Sequence, residues 1–172
     1  NYPVGTDNVA LGDTALDSVQ AGGTCNVAIG HHAGTAITTG DANTAVGALS
    51  LDAVTTASSN TAIGFASLSA NTSGTDNVAV GRSALVTNQT GNNNVAVGRS
   101  ALLVNTGSNN VAVGKDSMLE NTSGASNTAV GVNSLICNTT GANNTSIGKD
   151  ALKCNTEGGQ NVAIGKDTLF KN

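Results

Sequence analysis

The amino-acid sequence predicts an all-β fold, a parallel β-solenoid of about ten 17-residue coils that makes one repeat domain of residues 1–172. Three observations predict it. The pentapeptide Asn-[Val/Thr]-[Ala/Ser]-[Val/Ile/Leu]-Gly occurs ten times, starting at Asn8, Asn26, Asn43, Asn60, Asn77, Asn94, Asn110, Asn127, Asn144 and Asn161, in steps of 18, 17, 17, 17, 17, 16, 17, 17 and 17 residues. Bulky and small residues alternate within it, the period-2 signature of a strand. Its fifth residue is Gly in all ten copies, from Gly12 to Gly165. A period this short encloses no core of its own, so the copies must stack on one another.

With the motif Asn numbered position 1, the elements follow in order. Positions 2 and 4 are β-branched or apolar, as in Val78 and Val80, and position 3 is Ala except at Ser146. This is a first strand with one bulky face and one small face. Gly at position 5 implies a turn of positive φ, or a backbone approach too close for a Cβ. A second short strand is expected at positions 8 and 9, where a small residue precedes Leu in most coils; Met118 and Gly34 depart from the Leu column. An Asn-Thr-x-Gly turn then closes the coil, as in Asn71-Thr72-Ser73-Gly74 and Asn138-Thr139-Thr140-Gly141.

Parallel coils about 4.8 Å apart make a rod on the order of 50 Å long. Positions 2, 4 and 9 are expected to fill it, and the Ala column at position 3 to form a flat outer seam for self-association. The motif asparagines make a ladder of ten, and position 12 adds a second, Asn71, Asn88, Asn105, Asn121, Asn138, Asn155 and Asn172. Stacked amides bond along such a rod and hold parallel, in-register strands. So few apolar residues per coil bury little against the ordering cost of about 1–2 kcal/mol per residue, which points to self-association.

Composition narrows the function classes. Aromatic residues are 2% of the chain and Trp is absent, so no large side chains anchor a globular core. A net charge of −4 gives no support to nucleic-acid binding. No segment has the length of a membrane helix, and no secretory signal is present. The chain opens on Asn1-Tyr2-Pro3 and stops inside the tenth coil, and reads as a segment of a longer fibre protein.

Asn26-Val27-Ala28-Ile29-Gly30 and Asn161-Val162-Ala163-Ile164-Gly165 resemble the head repeats of trimeric autotransporter adhesins, the YadA-like head, across all ten copies. The resemblance implies a left-handed parallel β-roll, a side-by-side homotrimer, and a surface fibre that adheres to a cell-surface receptor or glycan. It places the chain outside the cell, on a cell or virion surface. The repeat is longer than is usual in that family, and Asn138-Thr139-Thr140-Gly141-Ala142-Asn143-Asn144 resembles the variant of viral and phage tail fibres.

Five of the seven basic residues stand at position 6: Arg82, Arg99, Lys115, Lys149 and Lys166. Three of them precede Asp116, Asp150 and Asp167. The column is a stripe for an anionic ligand, a set of inter-subunit contacts, or a solvated edge of weak pairs worth roughly 0–1 kcal/mol each. Cys137 and Cys154 share position 11 in consecutive coils, close enough for a disulfide but with side chains expected to run parallel; the alternative is two small apolar thiols. Cys25 has no equivalent partner. His31 and His32 lack the further ligands a metal site needs. Asn71, Asn88, Asn121, Asn138 and Asn143 head Asn-x-Ser/Thr triplets, which Asn-Thr turns generate by chance and which a secretory pathway would read as glycan acceptors.

No catalytic set, cofactor-binding loop or metal spacing recurs, so the reading is a non-enzymatic structural or adhesive fibre module. Two alternatives stay open. The Thr column at position 13 (Thr38, Thr55, Thr72, Thr106, Thr122, Thr139, Thr156), interrupted by Gln20 and Gln89, suits an ice-binding solenoid. A passive spacer needs no ligand at all.

Overall fold

The computed structural model describes residues 5–171; Asn172 of the second ladder lies outside them. Each motif forms one three-residue strand: β1 (Val9–Leu11), β2 (Val27–Ile29), β3 (Thr44–Val46), β4 (Thr61–Ile63), β5 (Val78–Val80), β6 (Val95–Val97), β7 (Val111–Val113), β8 (Thr128–Val130), β9 (Thr145–Ile147) and β10 (Val162–Ile164). They make a single ten-stranded sheet in sequence order. All neighbours are parallel and in register, so Ala62 pairs Ala79 and Ala79 pairs Ala96. The chain is a β-solenoid. Register is fixed because a one-residue slip would exchange the two faces of the whole strand.

The second strand expected at positions 8 and 9 is absent among the described residues. Two successive turns occupy that wall, closed in coil 4 by Ser67 N donating to Gly64 O (3.4 Å) and Asn71 N donating to Leu68 O (3.3 Å). Residues at positions 7 and 9 hold positive φ, as in Ala66 (51°) and Leu68 (51°). Their amides point along the rod axis: Ala66 N donates back to Ala48 O (3.0 Å) and Leu68 N donates forward to Ala84 O (2.9 Å). Left-handed backbone costs a non-glycine residue of order 1 kcal/mol. It is held because it lets the chain turn a corner while its peptide groups still bond to both neighbouring coils.

The interior reverses the expected faces. The Ala column is buried, with Ala28, Ala45, Ala62, Ala79, Ala96 and Ala112 at 0% exposure, and it faces the buried Leu column of the opposite wall. Positions 2 and 4 point outward. The Ala column is therefore packing, not a seam between chains. The physical reason is thickness: a flattened coil of this size holds one Leu per layer between its walls, and a second bulky side chain has no room.

Irregular coils keep this accounting. Gly34 takes the Leu position with φ of 58°, and Ile37 Cδ1 lies 3.0 Å from where its Cβ would be, filling the missing side chain's place from position 12. Ser146, the one departure from Ala, bonds inside the core with Ser134 (Oγ–Oγ 2.7 Å) and donates to Ala151 O (2.9 Å). No polar group is stranded by that substitution.

Candidate functional surfaces

The two asparagine ladders are the rod's internal frame. Each motif Asn from Asn8 to Asn144 accepts at Oδ1 from the backbone N–H of the next motif Asn, as for Asn77 from Asn94 (3.0 Å), and donates Nδ2 to the turn carbonyl ahead, Gly91 O (2.8 Å) for Asn77. From coil 4 onward the position-12 asparagines join the same carbonyls, with Asn88 Nδ2 also donating to Gly91 O (2.9 Å) and to Asn71 Oδ1 (3.1 Å). The first three coils carry Val19, Ile37 and Val54 there, and all three are buried. The interior of the rod thus changes from apolar to amide-lined at Asn71. This division is visible in the sequence once position 12 is known to face inward.

The outward columns make an apolar face. Position 2 runs Val9, Val27, Thr44, Thr61, Val78, Val95, Val111, Thr128, Thr145, Val162, and position 4 is Val, Ile or Leu in every strand. Along the middle of the rod these side chains are half-buried to exposed; Ile63, for instance, is 40% exposed. From β2 to β10 the sheet therefore presents an unbroken ladder of β-branched side chains, the arrangement that packs well against a second pleated surface.

The position-6 column flanks that face, and all five of its basic residues are exposed. Lys115, Lys149 and Lys166 lie against the aspartates that follow them, at 3.1, 2.6 and 3.3 Å. Asp150 is 4% exposed. Lys149 beside it, then Asn133 donating Nδ2 (3.0 Å) and Lys153 (3.0 Å), hold its carboxyl well below the usual carboxylate range. A carboxyl lowered on folding contributes stability that is complete above its unfolded pKa and is lost as pH falls toward the folded value. Asp150→Asn is accordingly expected to lower the melting temperature by a few degrees at pH 7. The gap to wild type should narrow below about pH 4, and a gap unchanged at pH 3 would refute the assignment.

The remaining sequence candidates separate on geometry. Cys137 and Cys154 are both free thiols and half-buried, so the structure holds no bridge between them. Burial, then the charges of Glu120 and Cys154, pushes the Cys137 thiol up. Cys25 is free and exposed. His31 and His32 stack edge to face at 4.0 Å, with His32 Nδ1 bonded to Thr14 Oγ1 (2.9 Å) and His31 Nε2 3.9 Å from Asp13 Oδ2. Among the described residues no three His, Cys, Asp or Glu side chains come together as metal ligands. Asp52, unremarked in the sequence, has a buried Oδ1 without a hydrogen-bond partner, and burial raises its carboxyl.

Five threonines of the position-13 column donate their hydroxyls to the next coil's carbonyl, as in Thr106 to Thr122 O (2.8 Å) and Thr122 to Thr139 O (2.8 Å). Their hydrogens serve the stack and leave only lone pairs facing water. The triplet asparagines Asn71, Asn88, Asn121 and Asn138 are buried at 0% exposure in the second ladder, and only Asn143 of that set is exposed. Among the described residues, no helix is long and apolar enough to cross a membrane. Comparison with protein-family models, with curated proteins and with solved structures finds no match for this chain.

Proposed function

We propose that this chain is a non-enzymatic structural module of an extracellular surface fibre, in which three rods associate side by side through the outward Val/Thr/Ile face. The observation that carries the reading is that face: an in-register Val/Ile/Leu column on all ten strands beside a Val/Thr column, left uncovered by the chain's own fold. Contiguous exposed apolar surface of this kind marks an interaction site, and a flat sheet face suits a second copy of itself. The number three, and the setting on a cell or virion, come from the resemblance to adhesin head repeats. Stacked backbone bonds and amide ladders supply stiffness, and the remaining faces are free to meet a receptor or glycan.

Light scattering of the native protein is expected to give a particle of three chains, with or without reductant. The pair Val80→Glu and Val97→Glu puts charges into the middle of the face, away from the interior. It should yield folded monomers with an unchanged far-ultraviolet spectrum. A wild-type monomer, or a double variant that still assembles, would refute this use of the face.

A further inference from the structure

The position-6 column is not uniform. Arg82 and Arg99 are followed by Ser83 and Ser100 instead of aspartate, and they meet no acidic side chain within ion-pair distance among the described residues. Between Asp76 and Asp116 the chain has no acidic residue, while Arg82, Arg99 and Lys115 all fall in that interval. One coil before Arg82, the same column holds Phe65, which is 50% exposed and takes no part in the core. Backbone bonds fix the file: Ser83 N donates to Phe65 O, Ser100 N to Arg82 O and Asp116 N to Arg99 O, each at 3.0 Å. Phe65, Arg82, Arg99 and Lys115 therefore stand on consecutive coils, with backbones about 4.8 Å apart.

We propose that this file binds an acidic oligosaccharide lying along the rod axis, with its carboxylates on Arg82 and Arg99 and the apolar face of one sugar ring on Phe65, while Lys115 stays paired with Asp116 at 3.1 Å. The inference rests on the reading of the chain as a projected surface module and names what that surface takes. A guanidinium presents a planar fork of donors that matches a carboxylate in two parallel bonds. Neither arginine has to give up an internal pair to do so. A polymer of uronic acids carries one carboxylate per ring, and its repeat is of the same order as the coil rise of ~5 Å. The exposed ring beside the cations gives a sugar something to cover.

A single-stranded nucleic acid would use the same elements, a base on the aromatic ring and phosphates on the cations. It fits less well. The file offers one aromatic ring, and the chain before Arg82 carries Asp7, Asp13, Asp17, Asp41, Asp52 and Asp76 with no lysine or arginine. That end repels a long polyanion and favours an occupant of a few charges.

The test is titration calorimetry of the intact chain with a sodium tetragalacturonate probe at low salt, with light scattering on the same sample. Binding is expected, weakened at least tenfold by Arg82→Gln with Arg99→Gln, severalfold by Phe65→Ala, and unchanged by Lys166→Gln, whose partner is Asp167. The methyl-esterified tetramer keeps the rings and removes the charges, and should bind at least tenfold more weakly whatever the variants do. No binding by wild type, an equal loss on Lys166→Gln, or tighter binding of a four-phosphate oligothymidylate would overturn the proposal. A three-chain particle that ignores the probe would sink this site and leave the fibre module standing. A monomer that binds it would do the reverse.

Discussion

Replacing Gly98 by alanine is expected to destabilise the rod by about 3 kcal/mol. Two independent causes act at that residue. Its φ of 135° lies where a side chain is strained, and a Cβ would sit 2.5 Å from Gly114 O and 2.7 Å from Gly114 C, both backbone atoms with no freedom to swing away. The same stack of glycine backbones runs the length of the chain; Gly64 would meet Gly81, and Gly131 would meet Gly148. In a solenoid stability is a sum of coil terms and nearest-neighbour interfaces. The lesion therefore falls on the interface between the sixth and seventh coils. Denaturant unfolding should show a lower midpoint, and hydrogen exchange should show protection lost first around β6 and β7. Gly22 is the control: it meets only the Thr39 side chain, at 3.3 Å or more, and its φ is not in the left-handed region. Gly22→Ala should stay within about 0.5 kcal/mol of wild type, and equal effects at the two sites would refute the close-stacking account.

Asn110→Ala is expected to cost about 3 kcal/mol, because it leaves buried groups without partners instead of merely deleting a contact. Asn110 is 0% exposed. Its Oδ1 accepts from Asn127 N (2.9 Å) and its Nδ2 donates to Gly124 O (2.8 Å) and to Asn105 Oδ1 (3.3 Å). Alanine strands the Asn127 amide, which is itself buried at 0% exposure. Position 12 should be more forgiving. The first three coils place Val19, Ile37 and Val54 there without any amide, so Asn88→Val is expected to cost only about 1 kcal/mol. Equilibrium denaturation of the two variants distinguishes a required ladder from a dispensable one. Asn88→Val as costly as Asn110→Ala would show that the two ladders act as one network.

Much of this fold is legible in the sequence, because the information lies in spacing. The constant step from Asn60 to Asn77 to Asn94 fixes strand order, direction and register together, and the unvarying Gly marks where backbones touch. The choice of interior face is not legible in the same way. Alternation in Val78-Ala79-Val80 shows that the two faces differ, but which one turns inward depends on the room left between the walls, and that is set by the far side of the coil. The turn at positions 8 and 9 is hidden for another reason. Leu68 and Leu85 hold left-handed backbone against their own preference, so residue type carries no sign of it. One sign was present: Gly34 stands in that same column, as glycine does where the backbone needs positive φ. Of the candidate surfaces, the basic column was readable as a column. The isolation of Arg82 and Arg99 from acidic partners needed the side-chain contacts.

The sixth coil has one residue fewer than its neighbours and the first has one more, yet the motif ladder runs through both. Asn94 still reaches Gly107 O (3.0 Å), Asn110 N still reaches Asn94 Oδ1 (3.0 Å), and Asn26 N still reaches Asn8 Oδ1 (2.8 Å). The slack is confined to the turn that precedes each motif. Coils that share the amide-lined interior, from Asn71 onward, are therefore equivalent units of the stack, and one added or removed among them would leave no seam. Rod length can thus change in single steps of about 4.8 Å, each step adding or removing one rung of both amide ladders.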